Sequence, residues 1–145
     1  MAFDGLGARF LFGAGADGLY VRDMFQISDK LDRLGNFGKP VHLTAVQVPS
    51  AAPSDKPVSS VGGSWRKPWD EAVQAQWIKE FYAIALSKPF VESLTWSDLV
   101  DQPNSPVLPS GGLLRPDLTP KPAYKAMLAI RSQIHATTRK PPAAR

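Results

Sequence analysis

The sequence predicts an α/β fold made of three consecutive strand–helix units around a parallel sheet. Two observations carry that expectation. Three short apolar runs, Leu6 to Phe12, Val41 to Val48 and Phe90 to Trp96, have the length and composition of buried strands. Each is followed, after a Gly- or Pro-bearing stretch, by a segment whose apolar residues recur at helical spacing. Strands that alternate with helices in this way pair in parallel through right-handed crossovers.

The first strand, Leu6 to Phe12, is closed by Gly13-Ala14-Gly15. The first helix is expected over Tyr20 to Leu34, where Met24, Ile27, Leu31 and Leu34 form one stripe; Gly35 and Gly38 mark its end. The second strand starts after Lys39-Pro40 and is stopped by Pro49-Ser50. A loop rich in Ser, Pro and Gly runs from Ser50 to Pro68, long enough to carry function. The second helix, Asp70 to Ser87, places Val73, Trp77, Phe81 and Ile84 inward, and Lys88-Pro89 breaks it. After the third strand comes another long loop, Ser97 to Leu118, interrupted by Pro103, Pro106, Pro109 and Gly111-Gly112. Proline suits a first helical turn, so the last helix is expected from Pro120 to Pro122 onward to about Ile134, with Tyr124, Met127, Ile130 and Ile134 inward. Residues 1–135 read as one domain part, and 136–145 as a disordered basic tail.

The chain has 145 residues, 43% of them hydrophobic and 10% aromatic, which places it among globular proteins. Its net charge is +4, yet Arg139, Lys140 and Arg145 supply three of the 17 basic residues, leaving 14 against 13 acidic ones elsewhere. No cluster of Lys and Arg with interleaved aromatics marks a nucleic-acid face. Without cysteine, disulfides and thiolate metal sites are excluded. His42 and His135 lack metal-ligand spacing, and His42 reads as a packed strand residue. No stretch approaches the roughly 18 apolar residues of a membrane span. Asp4 precedes any basic residue, so the apolar start reads as a strand rather than an export signal.

Three groups bear on chemistry. Gly13, Gly15 and Gly18 form a G-x-G-x-x-G between a strand and a helix, the setting of a dinucleotide-binding turn. Asp17 places negative charge beside the phosphates, and no acid closes the next strand to hold a ribose; the nearest beyond it is Asp55. A flexible turn is the simpler reading. Trp96, Asp98 and Asp101 stand at and just past a strand's carboxyl end, where an aromatic face stacks on a sugar and carboxylates accept hydroxyl hydrogen bonds; a core tryptophan and loop-capping aspartates are the alternative. Trp65 and Trp69 flank Arg66 and Lys67 in the second loop and either plug the top of the sheet or contact ligand. Glu71 and Glu80 read as helix-surface residues.

Gly111-Gly112-Leu113-Leu114 followed by Thr119-Pro120-Lys121-Pro122-Ala123-Tyr124 resembles the run that opens the last helix of family 10 glycoside hydrolases, the xylanase-like TIM barrels. Phe3-Asp4-Gly5-Leu6-Gly7 resembles the approach to the family's sixth strand, Val41 to Val48 its seventh, and Leu94-Thr95-Trp96-Ser97-Asp98 its eighth. The resemblance spans the chain to about residue 134 and implies a partial (β/α)8 TIM barrel, strands six to eight with their helices. It further implies a polysaccharide or oligosaccharide ligand, bound by Gln47, Trp65, Trp69, Trp96 and Asp98, and neither cofactor, metal, nucleic acid nor membrane.

The departures from the family pattern are equally specific. The residue after the seventh strand's Thr is the family's nucleophilic Glu; here Thr44 is followed by Ala45, and Gln47 stands where an acid is common. The family's Gln and His near the end of the sixth strand correspond to Arg9 and Leu11. Its acid/base Glu belongs to a fourth strand absent from this chain. Retaining glycosidases need two carboxyl groups about 5–5.5 Å apart, so the chain alone is expected to be inactive, with Asp98 and Asp101 as spare carboxylates if the site was rebuilt. A whole barrel takes roughly 200 residues or more, and three units leave two open strand edges. The expectation is a piece of a longer polypeptide, or a chain completed by a polypeptide supplying the other units. A non-catalytic carbohydrate-binding or scaffold protein is the alternative, and a dinucleotide-binding unit the third.

Overall fold

The computed structural model describes residues 3–13, 20–52, 62–105 and 107–138. The elements alternate as expected: β1 (Leu6–Leu11), α1 (Met24–Gly35), β2 (Val41–Gln47), α2 (Glu71–Leu86), β3 (Val91–Trp96) and α3 (Pro122–Thr138). The strands form one sheet in the order β1-β2-β3, and both pairs are parallel.

The helices cover one side of the sheet. Phe10, Val41, Leu43 and Val46 turn toward them and meet Ile27 and Leu31 of α1 and Val73, Trp77, Ile78 and Phe81 of α2. Helix α2 is the middle helix, packed between α1 and α3. Its aromatic residues key into the strands: Trp77 stacks on Phe81 at 4.6 Å, and its ring also meets Phe12 and Trp96 edge-on. Such contacts add to the area each ring removes from water.

The helix ends follow from local chemistry. Asp23 caps α1 by accepting the Gln26 N–H at 2.7 Å, and the Gln26 side chain returns a contact to the Asp23 N–H, a capping box. The helix therefore begins at Met24, not Tyr20. Asp70 caps α2 through the Val73 N–H at 2.7 Å, which holds its carboxyl below the usual aspartate range. In α3 the expected stripe holds for Tyr124, Met127 and Ile130, which are half-buried against the core beside the buried Ala123 and Ala126, whereas Ile134 is exposed and lines a groove with Leu86 and Ile130. The helix also continues past Ile134 to Thr138, and residues 139–145 of the expected tail lie outside the described residues.

The register explains how β2 presents its carboxyl end. Ala8 is level with Leu43, but Arg9 is level with Ala45, so β2 carries one extra residue at Thr44. Leu43 and Val46 are fully buried on the helix side, whereas Thr44 is exposed and Ala45 packs elsewhere, against Leu11 and Leu108. This bulge turns Thr44 and Ala45 successively away from the helices, as bulges do when they re-aim a side chain. The side of the sheet that no helix covers carries Gly7, Arg9, Thr44, Ser93 and Thr95, all exposed. His42 lies there too, half-buried, its Nδ1 2.9 Å from Ser93 Oγ; it is not the core residue the sequence suggests.

Candidate functional site

At the carboxyl end of the sheet, Gln47 closes β2 on the side away from the helices and is only 3% exposed. Its Nε2 donates to Asp98 Oδ2 at 2.6 Å, so the amide spends one N–H on holding the carboxylate that follows β3. The other carboxylate oxygen has no hydrogen-bond partner among the described residues. The backbone of Gly111 lies directly on the Gln47 amide: a Cβ there would strike Gln47 Nε2. The Gly111 carbonyl accepts from Trp96 Nε1 at 3.0 Å, leaving the indole half-buried against Trp77. Gln47, Asp98 and Trp96 thus converge on one edge of the sheet.

Behind them sits a buried ion pair. Lys121, whose side chain is 1% exposed, donates to Asp101 Oδ1 at 2.6 Å, to Ser50 Oγ at 2.8 Å and to the Gly112 carbonyl at 3.0 Å. Asp101 Oδ1 also accepts the Gly112 N–H at 2.8 Å. Ser50 belongs to the loop after β2, Asp101 and Gly112 to the loop after β3, and Lys121 to the start of α3. One ammonium therefore pins three segments, consistent with the rule that a buried charge is paired and hydrogen-bonded. Asp101 is committed to this network, which corrects its reading as a spare carboxylate.

Trp65 and Trp69 are 4% and 5% exposed. Trp69 Nε1 donates to the Gly63 carbonyl at 3.0 Å, and the Arg66 guanidinium covers Trp65 at 4.4 Å while pairing with Glu80. Both indoles plug the top of the helix side of the core, so their reading as sugar platforms is corrected: buried rings have no face to offer. Glu80 and Glu71 are not free surface acids either, since Glu71 takes both Arg115 Nε and Nη2. That pair raises the Arg115 pKa, and the Thr119 hydroxyl and N–H lower that of Asp117. Gly13, with φ of 87°, has Pro49 where a Cβ would stand. It serves a close approach of two loops rather than a phosphate; Gly15 and Gly18 lie outside the described residues. Among the described residues no group of three His, Asp or Glu side chains is arranged to hold a metal ion.

The position of Ala45 is not empty space. Leu11 of β1 and Leu108 of the loop after β3 close on it, Leu108 being 2% exposed. Sequence reading missed Leu108 and Lys121, the first because it lies in an irregular loop. The second carried a signal: a lysine between two prolines at a helix start is a constrained one.

No protein-family model matches the sequence, and no curated protein matches it. Solved structures do. Xylanase 10B from Thermotoga petrophila RKU-1, in complex with xylobiose, matches over 90% of this chain with a TM-score of 0.62 and 17% identity. The fold is that of part of a TIM barrel. A GH10 endoxylanase from a sugarcane soil metagenome matches over 88% of the chain with a TM-score of 0.59 and 21% identity. The intracellular xylanase of Thermoanaerobacterium saccharolyticum, a glutamate-to-alanine variant in complex with xylotetraose, matches over 86% with a TM-score of 0.59 and 16% identity. The chain spans 36%, 40% and 33% of the lengths of these three proteins. In a TIM barrel the carboxyl end of the sheet is the face that carries active sites; here it is the end with Gln47, Trp96 and Asp98.

Proposed function

We propose that this chain is the carboxyl-terminal part, strands six to eight, of a xylanase-like glycoside hydrolase barrel, and that it contributes oligosaccharide-binding groups rather than a complete catalytic pair. The observation that carries the reading is the convergence of Gln47, Asp98 and Trp96 at the carboxyl edge of a sheet shared with xylanase barrels. The half-buried Trp96 supplies an aromatic face for a sugar ring. The second oxygen of Asp98, held in place by Gln47, accepts a sugar hydroxyl. Ala45 occupies the nucleophile position, and a methyl group attacks nothing, so the chain alone does not hydrolyse glycosides. Strands β1 and β3 each pair on one side only among the described residues, which supports completion of the sheet by further strand–helix units, in the same polypeptide or another.

A non-catalytic carbohydrate-binding role is favoured by one observation, the apolar closure of Leu11 and Leu108 over Ala45. Both readings require sugar binding, and titration of the full chain with xylotetraose tests them. Quenching or enhancement of tryptophan fluorescence that disappears in Trp96→Ala is the expected result. An unchanged signal together with no heat of binding overturns both. Release of reducing ends by the unaltered chain overturns the assignment of Ala45.

A further inference from the structure

The uncovered side of the sheet carries a cation without an ion-pair partner among the described residues. Arg9 lies between Ala8 and Phe10, which face the helices, and stands exposed on the opposite side, level with Ala45. No ion pair engages it among the described residues. The carboxylates that follow β3 do not pair with it: Asp98 accepts from the neutral Gln47 amide, and Asp101 is paired with Lys121. The other side chains on that side, His42, Thr44, Ser93 and Thr95, bring no negative charge, and Glu92 stands at the amino end of β3, near the level of Val41 and His42 rather than of Ala45. Level with Arg9, Ala45 packs with Leu11 and Leu108 in a small apolar cluster.

A guanidinium keeps its charge at any ordinary pH and presents a planar fork that fits a carboxylate with two parallel hydrogen bonds. Whatever covers Arg9 must bring an anion, because covering an unpaired charge is costly. A glutamate at position 45 would have neutralised Arg9 from within and repelled an acidic ligand; the methyl of Ala45 does neither. We propose that Arg9 makes this end of the sheet select acidic oligosaccharides, the carboxylate of a uronic acid unit pairing with the Arg9 guanidinium. This rests on the carbohydrate-binding reading and adds the charge of the preferred ligand.

The test compares two probes on the full chain by calorimetry: xylotetraose, and xylotetraose bearing one glucuronic acid branch. The acidic probe binds about tenfold tighter at low salt, the size of one charge-assisted contact, and the preference shrinks as salt is raised. Arg9→Gln abolishes the preference, and because Arg9 is exposed the variant keeps its fold, which circular dichroism checks. Arg9→Lys keeps a preference of the same sign; its loss there overturns selection by charge. Equal affinities in the unaltered chain, or a preference that survives Arg9→Gln, overturn the proposal while xylotetraose binding leaves the carbohydrate reading intact. Binding of neither probe overturns both.

Discussion

The two sides of the sheet are built from the same three strands and have opposite characters. The helix side is a continuous apolar core in which Val41, Leu43, Val46, Trp77 and Phe81 are fully buried. The uncovered side presents Arg9, Thr44, Ser93 and Thr95, with hydrogen bonds from Thr44 Oγ1 to the Ala8 carbonyl and between His42 and Ser93. Only at its carboxyl end does that side become dry, where Leu11, Ala45 and Leu108 meet and Gly111 lies on Gln47. The difference teaches that large effects on folding belong to the helix side, while the binding proposed above draws on the carboxyl end, where the two sides meet.

The sharpest way to break that division is a pair of truncations. Trp77→Ala removes a fully buried ring that touches three other aromatic residues, and costs about 3–5 kcal/mol in urea denaturation. Thr95→Ala on the uncovered side stays within about 0.5 kcal/mol of the parent. Equal losses would mean that the two sides are not divided as described. The next effect lies where the sides join. Lys121→Met leaves Asp101, whose side chain is 12% exposed, without its cation and costs about 3 kcal/mol, and adding Asp101→Asn recovers part of the loss, as a double-mutant cycle would read it.

Ala45→Glu probes the dry end. Its carboxylate must enter the contact between Leu11 and Leu108, a loss of about 1–3 kcal/mol, and on the proposed reading the variant releases no reducing ends from xylan, because the proton-transferring glutamate belongs to a fourth strand outside this chain. The smallest effect concerns Tyr82, whose hydroxyl is buried without a hydrogen-bond partner among the described residues and whose phenol pKa is raised by burial. The folded phenol holds its proton more tightly than the unfolded one, which titrates near about 10. The stability this represents is present below that pH and falls as pH rises above it. Tyr82→Phe flattens this alkaline limb and leaves stability at neutral pH unchanged or higher by about 1 kcal/mol.

The strand–helix alternation was legible because its signals are local. The runs around β1, β2 and β3 and the stripes of Ile27, Leu31, Val73, Trp77 and Phe81 need only chain periodicity to be read. The helix starts were less so, because the apolar Tyr20 and Val21 extend the run ahead of a cap such as Asp23. In the candidate site, Gln47, Trp96 and Asp98 were visible from their place at strand ends. Trp65, Trp69 and Asp101 carried the right chemistry for ligands and serve the core and the Lys121 network instead. Residue type states what a side chain is able to do; which neighbour uses it depends on segments tens of residues away.

The sequence by itself determined the class of fold, the order of its units and the absence of a glutamate after Thr44, since each is a property of neighbouring residues. Only the tertiary structure decided that the bulge at Thr44 turns Ala45 away from the helices, that Leu108 arrives to cover it, and that Lys121 consumes Asp101. It also decided that Arg9 stands level with Ala45, with no ion-pair partner among the described residues. Register and charge balance are set between strands rather than along them, and no local pattern encodes which residues will stand level across a sheet.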